Sequence, residues 1–290
     1  MTLRVYYSDT YTSSDTPVLE RLALSASEIK KIPQVEFVCP PEFDVGLLNG
    51  LHSDKYIHDF LNGVEPLASS QGIRWTPDIR DASLAMLSGQ LEAANHALQH
   101  GIAMNVARGF HHAVRERGSG YCPLNGLALV AHVLTDKRVL VVDCDEHGGN
   151  GTEEFSEEMP NLFNLSIFGT RFGCRGGKRS WAFRVAAKTD GFDRYLSSLQ
   201  MAEKLINELH PDIIIYQAGA DCHEDDPKSL TRLTTEEMYA RDSYVFQLAK
   251  KHEVPVLFVI AGGYQHPRKI SELNANTVRA ALSCYFPSSK

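Results

Sequence analysis

Val139-Leu140-Val141-Val142-Asp143-Cys144-Asp145-Glu146-His147-Gly148-Gly149-Asn150-Gly151 is the stretch whose reading decides the fold. Its first four residues are all apolar, as in a strand buried on both faces, and such strands belong to parallel sheets covered by helices. The glycines that follow end the strand in a loop. In an extended chain the side chains at i, i+2 and i+4 share a side, which brings Asp143, Asp145 and His147 together at the carboxyl end of the strand. Open parallel sheets hold their ligands at that end. Two carboxylates and an imidazole gathered there point to a divalent metal.

Outward from this stretch, short apolar runs alternate with amphipathic segments. Strands are expected at residues 4–8, 35–39, 103–107, 138–145, 162–167, 212–219 and 254–261. Leu84, Leu87, Leu91, Ala94 and Leu98 recur at helical spacing within residues 78–100, and Phe192, Tyr195, Leu196, Leu199, Ala202, Ile206 and Leu209 within residues 192–210. Thr234 with Glu237 three residues later forms a capping box for a helix to residue 251. A last helix is expected at residues 268–284. The alternation predicts an α/β fold, a single three-layer α/β/α domain over residues 1–290 with a mostly parallel central sheet. Residues 169–190, rich in Gly, Arg and Lys, read as an irregular loop of the length that often carries function.

Bulk properties narrow the classes further. A chain of 290 residues, 43% hydrophobic and 22% charged, can bury a large core. Its formal charge of −7 disfavours a general nucleic-acid or anionic-membrane surface and suits cationic partners. The six cysteines are scattered and never form a Cys-x-x-Cys pair, which disfavours a disulfide framework or a Cys-rich zinc finger. Residues 1–7 lack a secretory pattern and no run approaches a membrane span, so a cytoplasmic location is the default expectation.

Three more clusters follow expected strands: Arg108-Gly109-Phe110-His111-His112-Ala113, then Ala220-Asp221-Cys222-His223-Glu224-Asp225-Asp226-Pro227, then Gly262-Gly263-Tyr264-Gln265. Together with Gly120-Tyr121-Cys122-Pro123-Leu124-Asn125 and the Asp143–Gly151 run, they form an ordered series from about residue 51 to residue 282. This series resembles the zinc-dependent histone deacetylase family, of the arginase/deacetylase superfamily. The class IV branch and its bacterial relatives look nearest, through Trp75-Thr76-Pro77 and the Tyr216–Pro227 and Ala261–Gln265 runs.

The resemblance implies an arginase/deacetylase-like fold and a metal-dependent amidohydrolase that removes acetyl or longer acyl groups from lysine side chains or related amines. Asp145, His147 and Asp221 would be the metal ligands, an N/O set with an open position that suits Zn²⁺ and also accepts Fe²⁺. A structural monovalent cation is a further cofactor suggested by the resemblance. His111 and His112 would form a dyad beside the attacking water, with His112 as the neutral base. Tyr264 would donate to the oxyanion, and Asp143 would fix the tautomer of His111. Asn150 would support His112 without adding charge, leaving it less basic than beside a carboxylate. Gly120 and Tyr121 would line the acyl channel.

Two departures from the family pattern bear on substrate. Lys228, after Asp226-Pro227, would set a cation at the channel wall and argues for testing acidic acyl groups; the class IV likeness argues for testing longer ones. The segment near residues 13–19 is short, which implies a wider or shallower entrance. The expected partner is an acylated lysine peptide or protein, or a free acylated amine, with no direct nucleic-acid or membrane contact; the oligomeric state is not legible. Two alternatives carry different expectations. A binuclear manganese ureohydrolase of the same fold would use Asp221-x-His223-x-Asp225 for a second ion, and a non-catalytic acyl-lysine or metabolite-binding protein would keep the pocket without turnover.

Overall fold

The strands form where the apolar runs are. A computed structural model describes residues 2–12, 17–186 and 190–287. Its strands are β1 (Leu3–Tyr6), β2 (Val35–Val38), β3 (Ile102–Asn105), β4 (Val139–Asp143), β5 (Leu162–Phe168), β6 (Ser180–Arg184), β7 (Ile213–Ala218) and β8 (Val256–Ile260). They make one eight-stranded sheet in the order β2-β1-β3-β8-β7-β4-β5-β6, and every pairing is parallel. Strands β3, β4, β7 and β8 are buried at every residue, which is why their sequences run apolar without alternation.

The helices are α1 (Pro17–Ile29), α2 (Asp54–Asn62), α3 (Pro77–His100), α4 (Gly126–Val133), α5 (Asn150–Glu158), α6 (Gly191–Leu199), α7 (Met201–Leu209), α8 (Thr235–Lys251) and α9 (Pro267–Tyr285). They flank the sheet in packed groups: α3 against α4 and α4 against α5, and α9 against both α1 and α8. Local signals set several ends. Thr76 accepts from the Ile79 amide ahead of Pro77 at the start of α3, and the expected capping box of Thr234 and Glu237 starts α8.

Three elements differ from the sequence reading. Residues 192–210 make two helices, α6 and α7, which meet at Gln200 with its backbone still helical. The irregular stretch 169–190 contains the edge strand β6, paired with β5. Its nucleus is Glu153 on α5, whose carboxylate accepts from the Arg175 and Gly176 amides and from the Ser180 hydroxyl. A five-residue strand held by a distant carboxylate leaves little periodicity to read. Finally, β4 stops at Asp143 rather than 145, so Asp145 and His147 sit in a turn beyond the pleat. The mouth segment expected near residues 13–19 falls partly outside the described residues.

All six cysteines are free thiols. Among the described residues no helix is long and apolar enough to cross a membrane. His52 is buried, with Nδ1 against the Val114 carbonyl at 2.9 Å and Nε2 accepting from the Asn125 amide at 3.1 Å. Those bonds need a neutral ring, and burial pushes its pKa down to about 4 from 6.5. The folded value lies below the unfolded one, so this contribution to stability is complete above pH ~6.5 and is lost as pH falls toward ~4. It amounts to roughly 2–3 kcal/mol. In equilibrium urea unfolding, the stability lost between about pH 7.5 and about pH 4.5 should be smaller in His52→Gln than in the wild type by that amount; an equal loss in both proteins would contradict this role.

Candidate active site

Sheet order explains why the four clusters meet. β3, β8, β7 and β4 are consecutive neighbours, and the clusters are the loops that leave their carboxyl ends. His111 and His112 follow β3, Asp143–Asn150 follow β4, Asp221 follows β7 and Gly262–Tyr264 follow β8. These loops enclose a cavity lined by Arg108, His111, His112, Gly120, Asp145, His147 and Tyr264, among others. It holds about 290 Å³ of unfilled space counted to its open mouth.

Convergence of the β4 residues comes from turns rather than from the pleat of an extended strand. The Asp145 amide donates to Asp143 Oδ1 at 3.1 Å, and the His147 amide donates to Asp145 Oδ1 at 2.9 Å. These are successive Asx turns. They direct His147 Nδ1 to within 3.2 Å of both Asp145 Oδ1 and Asp221 Oδ2. One ligand atom from each of Asp145, His147 and Asp221 lies within 4.8 Å of the others, the only such group of three or more among the described residues.

Several observations fit this trio to a divalent ion. Asp221 is fully buried and its Oδ2 has no partner besides His147 Nδ1 at 3.2 Å, so once that ring serves as a neutral ligand a cation must complete the carboxylate. Its other oxygen accepts from the Glu146 amide at 3.0 Å, and Asp145 Oδ2 accepts from the Gly262 amide at 2.7 Å. A side chain at Gly262 would put its Cβ 1.8 Å from Asp221 Oδ2 and 2.7 Å from Asp145 Oδ2, so glycine keeps the space open. Burial works against a charge on His147, but its hydrogen bonds to Asp145 and Asp221 outweigh this and raise its pKa to about 11. Burial and the Asp145 charge raise Asp221, whereas on Asp145 burial is outweighed by His111 and His147, which lower it. A cation at the centre replaces the proton that this cluster otherwise retains. Mixed carboxylate and imidazole donors suit zinc or iron equally.

The two histidines stand side by side, with ring centroids 3.9 Å apart, in different settings. His111 Nδ1 meets Asp143 Oδ2 at 2.7 Å; burial opposes its charge, but Asp143 and Asp145 prevail and raise its pKa. His112 Nδ1 donates to Asn150 Oδ1 at 2.7 Å, which leaves Nε2 as the ring acceptor. Burial, reinforced by His111, holds His112 well below the ordinary histidine range. The dyad therefore pairs a ring that favours the proton with a ring that refuses it. Phe172 covers His112 on one side at 4.0 Å between centroids. On another, Gly120 has φ +51° and a Cβ there would lie 2.5 Å from His112 Cδ2.

Tyr264 is positioned through its backbone amide, which donates to Asp226 Oδ2 at 2.6 Å and to Gln265 Oε1 at 3.0 Å. Burial raises its hydroxyl pKa, so it remains a neutral donor. Cations surround its ring: Lys228 Nζ is 3.6 Å from the centroid and the Arg21 guanidinium carbon 5.2 Å. Tyr121 lies 6.4 Å from Tyr264, ring to ring. Lys228 and Tyr121 thus gather at the face of Tyr264, while Gly120 borders the cavity itself. His223 takes no part: its Nε2 meets Thr235 Oγ1 at 3.0 Å and its Nδ1 accepts from the Asp225 amide at 3.1 Å. With both nitrogens engaged, the second metal site considered from sequence is not assembled.

Four contributors escaped the sequence reading. Phe172 lies in the stretch read as loop. Glu146 accepts from the Leu230 amide and from the Thr231 amide and hydroxyl, tying the β4 loop to the loop after Asp226. Arg241 donates from α8 to the carbonyls of Cys144 at 3.2 Å and Gly219 at 2.9 Å. Arg108 lines the cavity. The one signal for Arg241 was a charged pair, Arg241-Asp242, on the apolar face of a helix.

An all-parallel eight-stranded sheet whose adjacent strand ends converge on a buried Asp/His/Asp cluster is the architecture of the arginase/deacetylase fold. Residues 16–281 match the histone deacetylase domain, and the chain belongs to that family, which makes it an amidohydrolase of the deacetylase type. It is 31% identical over 240 residues to an uncharacterized protein of Picosynechococcus sp., covering 80% of each chain. It is 30% identical to histone deacetylase 2 of Arabidopsis thaliana over 68% of this chain and 53% of that protein, so it spans about half of that relative. It is 28% identical to acetylpolyamine amidohydrolase 2 of Pseudomonas aeruginosa, covering 70% and 61% of the two chains. In fold it matches the crystal structure of acetylpolyamine aminohydrolase from Burkholderia pseudomallei, with a TM-score of 0.80 and 17% identity over 98% of this chain and 99% of that one.

The contrast between the two histidines gives a prediction. A carboxylate in place of Asn150 favours the imidazolium, so Asn150→Asp should raise the pKa of His112 by about one to three units. Imidazole ¹⁵N spectra across pH check it. Wild-type His112 should stay neutral down to well below its ordinary midpoint, and an unshifted titration in Asn150→Asp would count against the contact.

Proposed function

We propose that the chain is a single-metal amidohydrolase that cleaves short acyl groups from lysine side chains or related amines. The observation that carries this reading is the dyad beside the Asp145/His147/Asp221 cluster, with a neutral His112 and the Tyr264 side chain on the same cavity. A divalent ion, with zinc the first choice, would be held by those three residues and would supply Lewis acidity toward the acyl carbonyl and the attacking water.

The chain's own residues then have separate tasks. His112 accepts a proton from water at Nε2 while Asn150 holds its Nδ1–H. The same nitrogen returns a proton to the amine as the C–N bond breaks. Tyr264 donates its hydroxyl to the carbonyl oxygen as negative charge develops there. His111, kept oriented by Asp143, lends a positive field to the same centre. Phe172 and Gly120 pack together against His112 and shield its ring from bulk water. A cavity of about 290 Å³, counted to its open mouth, suits a short acyl group.

Lysine peptides and acylated polyamines both present a short acyl amide on an alkylamine. Relatives named for each chemistry are among the similar proteins, and an acyl panel on both scaffolds decides between them. The test uses zinc-loaded protein and follows release of free amine from an N-acetyl-lysine peptide and from an N-acetylpolyamine. His112→Ala should lower turnover by about 10²–10⁴-fold, and Tyr264→Phe by about 10²–10³-fold, with circular dichroism unchanged. Full activity in both variants would sink the proposed roles.

A further inference from the structure

Arg108 has no role in the chemistry described so far, yet its environment is unusual. It follows β3 directly, lines the cavity beside Gly109, Phe110 and His111, and is only 6% exposed. Its Nε and Nη2 have no hydrogen-bond partner, and its guanidinium makes no ion pair among the described residues. A buried arginine is normally paired, because leaving its charge without a partner is costly. The neighbouring acids do not supply one. A dication bound by Asp145 and Asp221 would neutralise them, and Asp143 is committed to His111, the Asp145 amide and Gln217. One positive charge with free, coplanar donors is therefore left over on the lining of an acyl-accepting cavity. Tyr264 and Cys122 line that same cavity.

From this juxtaposition we infer that Arg108 is a specificity residue for a carboxylate on the acyl group, so that short dicarboxylic acyl amides of the malonyl or succinyl kind are preferred substrates. This rests on the amidohydrolase reading above. A guanidinium fork matches a carboxylate in two-point geometry, and Arg108 lines the same cavity that would hold the acyl group. Lys228, the cation that drew notice in the sequence, is exposed and lies against the Tyr264 ring at the rim. The acid-selecting charge is thereby reassigned to the buried arginine. The reaction balances as hydrolysis: the water oxygen forms the new C–O bond, the amide C–N bond breaks, and both water protons end on the amine. The products are a dicarboxylate and an alkylammonium ion.

The test compares a succinyl-lysine peptide with its succinamoyl counterpart, equal in size and lacking the charge, on the zinc-loaded full chain. Wild type should show kcat/KM at least about tenfold higher for succinyl, and Arg108→Gln should erase that ratio. Arg108→Lys keeps the charge without the fork and should fall between them. A wild-type ratio of one or less overturns the inference whether or not the variants fold. An equal loss on both substrates in Arg108→Gln overturns it too, since that marks a structural or oxyanion role. If wild type turns over no acyl amide, the hydrolase reading fails by itself, and calorimetric binding of the same two peptides decides for Arg108. Tighter succinyl binding that is lost in Arg108→Gln keeps the inference, and equal or absent binding overturns it.

Discussion

Two carboxylates, Asp145 and Asp221, are buried beside one another at the end of adjacent loops, and the rest of the site is arranged around making that tolerable. Like charges in a dry setting repel strongly, and desolvation penalises each of them besides. Backbone amides of Gly262 and Glu146 each satisfy one oxygen, and His147 faces both acids. What remains is one Asp221 oxygen whose sole neighbouring donor is His147, a demand that a dication meets. The same demand sets sequence choices farther out, beginning with the absence of a side chain at residue 262.

The two loops must also be held in register with one another. Arg241 does this from α8, with a wholly buried guanidinium donating to the carbonyls just beyond β4 and β7. Its partner Asp242 accepts from Tyr216 on β7 and from Thr277 on α9. A buried ion pair of this kind adds little net stability, but removing one partner leaves a charge without compensation, at a cost of about 3–5 kcal/mol. Its value lies in position: it fixes the distance between the loops that carry Asp145 and Asp221. Glu146 acts likewise toward the segment after Asp226, which in turn anchors the Tyr264 amide.

Much of this was legible in the sequence because the chemistry follows the strands. Buried parallel strands announce themselves as apolar runs, and their carboxyl ends are where such sheets hold ligands, so the residues there are the site candidates. Hence Asp143, Asp145, His147, His111, His112, Asp221 and Tyr264 could be picked out before any geometry. What escaped was held by long-range contacts. β6 depends on Glu153 from α5, the Arg241 bridge spans nearly a hundred residues to Cys144, and Phe172 packs on His112 from the far side of β5. The paired turns after Asp143 escaped for another reason: strand pleat and Asx turns both bring alternate residues together, so spacing alone does not distinguish them.

The central claim is that one divalent ion completes the Asp145/His147/Asp221 cluster, and its most direct test is equilibrium unfolding of metal-free protein titrated with zinc. Binding to the folded state alone should stabilise it by about 2.7 kcal/mol when free zinc is about 100-fold above Kd. Saturation should come at one ion per chain, and Asp221→Asn should abolish the effect. Unfolding indifferent to metal, or saturation at two ions per chain, would contradict the account.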